Sequence, residues 1–254
     1  MNKTGLYSLV VSIAFAIPFG LATVETPSVI AQDRSGTNMT KEEGEETVEA
    51  KAVSDLMLAQ RLAAYGRENN TATALISAAQ IVLDTPTQNT SFDKTSETDE
   101  SNGSAAETRQ VDEINDQSPE LSASKLLADA KQIASGDQNL LSLIANLEDQ
   151  AVSKGSARGR TRGPAKDVDA VSRYSSIYYT IRFRGSRVAR VGVKGNGNTD
   201  LDCYIYDGNG NLIVSDTDSS DACLVEWVPY WTGPFRVRIR NRGGVYNRYV
   251  MMTN

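Results

Sequence analysis

The spacing of apolar residues changes once along this chain of 254 residues, and that change limits its fold more strictly than any other feature. Up to about residue 150, apolar side chains recur every three to four residues, which is typical of helices with one buried face. After Val171 they alternate with polar residues, as in the stretch Phe235–Arg240. A period of two is typical of antiparallel strands with one buried and one solvated face. The sequence therefore predicts an α+β protein with an all-β C-terminal part.

The N-terminal region carries four apolar stripes that predict two helical hairpins. The first hairpin comprises helices at about 47–65 and 71–83. The second comprises helices that begin after the capping residues Ser122 and Asp137. We expect a small four-helix unit, or, as the alternative, two helix pairs that each lie on another surface.

The C-terminal region 171–254 is divided into about seven short alternating stretches by Gly-Asn turn signals such as 195–198 and 207–211. Strands of this length and spacing predict an antiparallel β-sandwich or jelly roll.

Three polar segments separate these parts, and each is predicted to lack stable structure. Residues 32–46 and the insert 85–119, within the helical region 47–149, are acidic and contain too few apolar residues to offset the entropy of ordering. Residues 150–170 form a basic, Gly-containing linker. For this linker we consider a plain solvated connection, a protease-sensitive hinge or a contact with a polyanion.

The first 31 residues have the features of a signal peptide. Lys3 precedes an apolar stretch over 6–24, and small residues precede cleavage sites after Ala31 or, as the second choice, Ala22. An uncleaved membrane anchor is the alternative, against which Pro18 argues because it interrupts the helix. We therefore expect an exported protein, periplasmic or extracellular, that meets the membrane only through this segment.

The chain has no histidine and two cysteines, Cys203 and Cys223. The absence of histidine excludes Ser-His-Asp catalysis, Cys-His catalysis and His-ligated zinc. In an oxidising compartment a cysteine pair within one domain is expected to form a disulfide, and two buried free thiols are the alternative.

One segment resembles a known family. Asp200–Asp207 followed by Gly208–Leu212 is similar to the D-L-D-x-Y-V-Y-D-x-x-G-N segment of bacterial pre-peptidase C-terminal domains. Trp231–Val237 is similar to the G-x-Y/F-x-V start of a later strand, and Asn241 with Tyr246–Tyr249 to the closing stretch. The resemblance covers residues 172–254. It implies a β-sandwich of exported proteins that serves secretion or the binding of matrix and polysaccharide, with calcium in some relatives.

Acidic residues crowd two loops of the sandwich and suggest a calcium site, because Ca²⁺ prefers several carboxylate oxygens. The alternative is turn chemistry, since tight hairpins require Asp, Asn and Gly. No other cofactor is expected. The candidate ligands are Asp200, Asp202, Asp207, Asp216 and Asp218.

Arginines on the outer face of two strands are the candidate site for a polyanion, and the chain carries no dedicated nucleic-acid motif. The candidates are Arg182, Arg184, Arg236, Arg238 and Arg240. Suitable partners are an acidic polysaccharide, lipid headgroups or a nucleic acid. The alternative is a solvated face, or one neutralised by the chain's own acids around 42–49 and 97–113. Tyr230 and Trp231 are candidates for stacking on sugar rings.

These features predict an exported, non-catalytic binding or scaffolding protein of the bacterial envelope or the extracellular space. A secretion or sorting module recognised by the export machinery is the alternative. A polysaccharide-active hydrolase is the third reading, because glycosidases need only two carboxylates, for example Asp202 and Glu226.

Overall fold

The computed structural model describes residues 34–98, 118–156 and 163–254. The signal peptide assigned to residues 1–31 lies outside this part of the chain, so it stays a prediction. Within the described residues, no helix combines the length and the apolar character that a membrane span requires.

Four helices precede most of the strands, as predicted. They are α1 (Val48–Glu68), α2 (Ala72–Asp84), α3 (Ala123–Ile133) and α4 (Gln138–Ser156). The Thr47 hydroxyl caps α1 by accepting a hydrogen bond of 3.1 Å from the backbone N–H of Ala50. The largest fully buried side chains of the helical unit, drawn from α2, α3 and α4, are Leu75, Leu126, Leu127 and Ile144.

The first helix continues past Gly66, where the sequence predicted its end. Gly66 is buried inside α1, and a Cβ atom there would lie 2.7 Å from Cγ of Leu75 in α2. This glycine therefore serves the close approach of two helices and does not stop the first one.

In the described residues, ten strands form two five-stranded sheets. They are β1 (Gln88–Asn89), β2 (Lys94–Thr98), β3 (Ala165–Val171), β4 (Ser175–Phe183), β5 (Ala189–Gly195), β6 (Leu201–Asp207), β7 (Leu212–Asp216), β8 (Ala222–Trp227), β9 (Gly233–Asn241) and β10 (Asn247–Thr253). Sheet I has the order β1-β3-β10-β5-β8, and sheet II has the order β2-β4-β9-β6-β7. All pairs are antiparallel except β1 with β3. The predicted α+β fold with a β-sandwich is confirmed.

A disulfide and two polar contacts join the two sheets around an apolar core. The predicted disulfide between Cys203 of β6 and Cys223 of β8 is present, with Cα atoms 6.2 Å apart. On the side of β4 and β10, the hydroxyls of Tyr179 and Tyr249 lie 2.6 Å apart. Lys94 of β2 binds Asp169 of β3 nearby.

The sandwich includes residues that were predicted to be disordered. The first part of the insert 85–119 supplies β1 and β2, and β3 begins at Ala165 inside the expected linker 150–170. These predictions were wrong because β2 is an edge strand whose residues are all exposed, so backbone pairing with β4 orders it without any apolar pattern. Residues 99–117 and the arginines of 157–162 lie outside the described part.

The helical unit is packed on the sandwich. Val53, Leu56 and Met57 of α1 form one buried cluster with Val250 and Met252 of β10. The α1 side chains therefore cover the part of the outer face of sheet I around β10. The described part of the chain therefore forms one compact unit, Arg34–Asn254, rather than helical hairpins and a sandwich joined by a linker.

Residues 37–46 also belong to the folded unit. Asn38 is buried, the Thr40 N–H donates to the carbonyl of Val228, and the Glu45 N–H donates to the carbonyl of Ser186. The prediction of a disordered acidic segment at 32–46 was wrong here, because backbone hydrogen bonds and the buried Asn38 order this segment although most of its side chains are polar.

Candidate functional site

The candidate site is a row of arginines on the outer face of sheet II. Strand β9 is the middle strand of this sheet, and its apolar residues Phe235, Val237 and Ile239 are buried in the core. The intervening Arg236 is exposed, and Arg238 is half-buried. Alternation along the strand thus places the guanidinium groups on the side facing away from the core.

Tyrosines of the neighbouring strands hold these guanidinium groups. Tyr178 of β4 and Tyr204 of β6 both pair with Arg238 in the strand register. The Arg236 guanidinium lies 4.1 Å from the centre of the Tyr178 ring, and the Arg238 guanidinium lies 5.6 Å and 5.4 Å from the Tyr178 and Tyr204 rings. Such cation–π contacts fix long side chains that would otherwise be mobile.

Two carboxylates of the chain bind at the ends of the row. Glu97 of β2 lies 3.4 Å from Nη2 of Arg236. Asp202 of β6 is buried and accepts hydrogen bonds from the Tyr204 hydroxyl and from Nη1 of Arg242, at 3.0 and 3.1 Å. This acid holds the pKa of Arg242 above its ordinary value through that hydrogen bond.

Most of the predicted arginines lie together on the outer face of sheet II, and one further arginine lies beside them. Arg240 follows Arg238 in the same row, and Arg182 of β4 is exposed opposite Pro234, next along the sheet from Arg236. Arg184 is exposed one residue beyond the end of β4. Arg242, two residues after Arg240, was not predicted, although the same alternation extends to it. We call Arg182, Arg236, Arg238, Arg240 and Arg242 the arginine face.

The aromatic loop directly precedes β9 and is held by the N-terminal segment. Tyr230 is 53% exposed, Trp231 is half-buried, and their ring centres lie 5.9 Å apart. The Asn38 side chain accepts from the Trp231 N–H and donates to its carbonyl, at 2.8 and 3.0 Å. The role of Asn38 was not predicted, because nothing in its sequence neighbourhood distinguishes it.

Three of the five predicted calcium ligands accept hydrogen bonds from backbone N–H groups of the chain. Asp207 is buried and accepts four hydrogen bonds from Asn38, Asn209 and Asn211, and these bonds lower its pKa although burial opposes that shift. Asp216 and Asp218 accept from the backbone N–H groups of Leu224 and Ser220.

Within the part of the chain that is described, no group of three or more acidic residues is arranged to hold a metal ion. Burial raises the pKa of the Asp200 carboxyl, with further contributions from Asp202 and Asp218. A calcium site at these loops stays a hypothesis that calorimetry with Ca²⁺ tests.

The two carboxylates considered for glycoside hydrolysis are not neighbours. Asp202 lies in sheet II, whereas Glu226 lies in sheet I on the outer face of β8, where it binds Arg190. Glu226 borders a groove of about 460 Å³ that also contains Met39, Ile213 and Val228. Because glycosidases need both acids on one sugar, this pair does not form a catalytic site.

Comparison with known proteins finds no protein-family model and no curated protein that matches the chain. Solved structures with some likeness include the pre-peptidase C-terminal domain of a collagenase from Bacillus anthracis, with 10% identity, 35% of this chain and 76% of that chain covered, and a TM-score of 0.26.

Two others are a periplasmic inhibitor of g-type lysozyme from Aeromonas hydrophila (14% identity, 36% and 86% covered, TM-score 0.27) and a carbohydrate binding module of lichenase 5A from Cellvibrio mixtus (9%, 34% and 86%, TM-score 0.23). At this level of likeness no function is transferred. The chain is an α+β protein with a β-sandwich, and the arginine face is its candidate functional site.

Proposed function

We propose that this protein is an exported, non-catalytic binding module that holds an anionic polymer of the cell envelope, such as an acidic polysaccharide, on the arginine face. The observation that carries the proposal is the row of arginines along β9, framed by Tyr178 and Tyr204.

The two sheets differ in what lies on their outer faces. Sheet I presents Val250 and Met252, which α1 covers. Sheet II presents the arginine face, in which Arg236 binds Glu97 and Arg242 binds Asp202. A rigid sheet with excess positive charge attracts polyanions at long range, and arginine binds carboxylate, sulfate and phosphate groups with two parallel hydrogen bonds.

The described carboxylate at the start of the β9 row, Glu97, binds its arginine only weakly. Arg236 and Glu97 are both at least half exposed, and an ion pair of this kind contributes only about 0.2–1 kcal/mol. A polymer that offers several anionic groups at once therefore replaces Glu97 at small cost.

The disulfide supports the exported part of the proposal, since such bonds persist mainly in oxidising compartments. The resemblance of Asp200–Leu212 to pre-peptidase C-terminal domains agrees with a binding module of an exported protein.

Chromatography of the full chain on heparin-agarose tests the proposal. We expect retention that is lost as salt is raised, and early elution of the triple variant Arg236→Ser, Arg238→Ser, Arg240→Ser. Arg61→Ser, which removes an exposed arginine of α1, is the matched control and should elute like the wild type. Equal elution of the triple variant and the wild type, both folded by circular dichroism, would reject this function.

A further inference from the structure

We infer that the preferred ligand of the arginine face is a linear phosphodiester polymer bound through its backbone, without contacts that read its side groups. This inference rests on the proposed function and narrows the class of polymer.

The spacing of the arginines is the first argument. Arg236, Arg238 and Arg240 occupy every second position of β9, and alternate residues of a strand repeat about every 6.7 Å. Successive phosphates of an extended polynucleotide or polyol phosphate are separated by a similar distance. Carboxylates that occur once per disaccharide are much farther apart. A phosphodiester chain lying along β9 therefore places one phosphate at each arginine.

The rigidity of the row is the second argument. β9 is paired along its length with β4 on one side and β6 on the other, so the repeat is fixed before the ligand arrives. Tyr178 and Tyr204 lie beside the guanidinium groups of Arg236 and Arg238. A template formed in advance loses little entropy when it binds an extended polymer.

The chain's own carboxylates show where oxyanions are bound. Glu97 contacts Nη2 of Arg236 at 3.4 Å, and Asp202 contacts Nη1 of Arg242 at 3.1 Å. Glu97 thus contacts the first arginine of β9, and Asp202 contacts the arginine that directly follows the end of β9. The row as a whole accordingly accepts anionic oxygens at both ends.

The tyrosines also indicate that bases are not read. Proteins that bind single-stranded nucleic acids offer aromatic rings on which bases stack. Here Tyr178 is already in contact with two guanidinium groups, and Tyr204 is in contact with one. A polymer without bases should therefore bind as well as one with bases.

Fluorescence anisotropy with labelled oligomers tests the inference on the full chain. The probes are a dodecamer of thymidylate, an abasic deoxyribose phosphate dodecamer of equal charge, and hyaluronan of similar length. We expect the two phosphodiesters to bind within about threefold of each other, at least tenfold more tightly than hyaluronan. For Arg238→Ser we expect the slope of log affinity against log salt concentration to decrease in magnitude by about one. Arg61→Ser should behave like the wild type.

The outcomes separate the two proposals. Retention on heparin without preference for phosphodiesters over hyaluronan overturns the inference and leaves the proposed function intact. Thymidylate bound more than tenfold more tightly than the abasic oligomer shows that bases are read, which also overturns it and identifies a nucleic acid as the source. No binding to heparin or to any oligomer overturns both.

Discussion

The hydroxyl groups of Tyr179 and Tyr249 lie 2.6 Å apart in the interior of the sandwich, one contributed by each sheet. Both residues are fully buried, and Asp169 is the other polar partner of Tyr179, at 3.4 Å. This hydrogen bond connects β4 to β10 in a core that is otherwise largely apolar. Removing one of the two hydroxyls should therefore change the free energy of unfolding differently from removing both.

Tyr249→Phe should lower the free energy of unfolding by about 1–2 kcal/mol, because it leaves the buried hydroxyl of Tyr179 with one long contact. The double variant Tyr179→Phe, Tyr249→Phe should lose less than the sum of the two single variants, since no hydroxyl then remains unpaired. Urea unfolding measures all three, with Tyr246→Phe, in the half-buried loop before β10, as the control. Additive losses would show that the two hydroxyls are not coupled.

The same pair makes stability depend on alkaline pH. Burial disfavours the phenolate and raises the pKa of Tyr179 and of Tyr249 above the ordinary value near 10. The folded state thus keeps protons that the unfolded chain releases, so stability is unchanged below about pH 10 and falls as the pH rises past it. Melting temperatures from pH 8 to 11 should fall less steeply in the double phenylalanine variant. An equally steep fall of the melting temperature in the wild type and the double variant would show that the two tyrosines do not cause the pH dependence.

Gly192→Ala should disturb the contact between α1 and sheet I. A Cβ atom at this position would lie 2.7 Å from Cγ of Met57 and 3.2 Å from Cγ1 of Val53. We expect a loss of about 1–3 kcal/mol, of which Met57→Ala in the same chain restores a part. Gly208→Ala, whose Cβ would have neighbours no closer than 3.6 Å, is the control. Wild-type stability of Gly192→Ala would show that α1 is loosely held.

How far the sequence predicts this molecule depends on what each element buries. Strand β9 is predictable because Phe235, Val237 and Ile239 bury one face, which fixes the outward direction of Arg236 and Arg238. The disulfide is predictable because the chain has a single cysteine pair. Tyr178 and Tyr204 lie beside the arginines only through the pairing register, and a pattern within one strand carries no register.

Elements that bury no apolar side chain escape such prediction. Strand β2 buries no residue, so Lys94–Thr98 has the composition of a disordered segment although it pairs with β4. Asn38 is similar, because its importance comes from contacts with Trp231 and Asp207, residues far away in the chain. These interactions require three-dimensional proximity that no local pattern records.

Glu97→Gln should strengthen polyanion binding. The carboxylate of Glu97 occupies Arg236, and its neutralisation removes both the competitor and its repulsion of an anionic ligand. An exposed pair of this strength corresponds to an increase in affinity of about twofold to fivefold. Glu226→Gln, on the outer face of the other sheet, is the matched control. Anisotropy titrations at constant salt measure the effect, and weaker binding of Glu97→Gln would mean that Glu97 supports the site.

The most direct test of the arginine face is an NMR titration of the full chain with a heparin oligosaccharide, observing the side-chain Nε–Hε resonances of arginine. We predict that the resonances of Arg236, Arg238 and Arg240 shift first and furthest, while Arg61 on α1 and Arg67 beside Asp129 stay in place. Shifts confined to arginines outside sheet II, for example Arg61 and Arg67, would contradict the account.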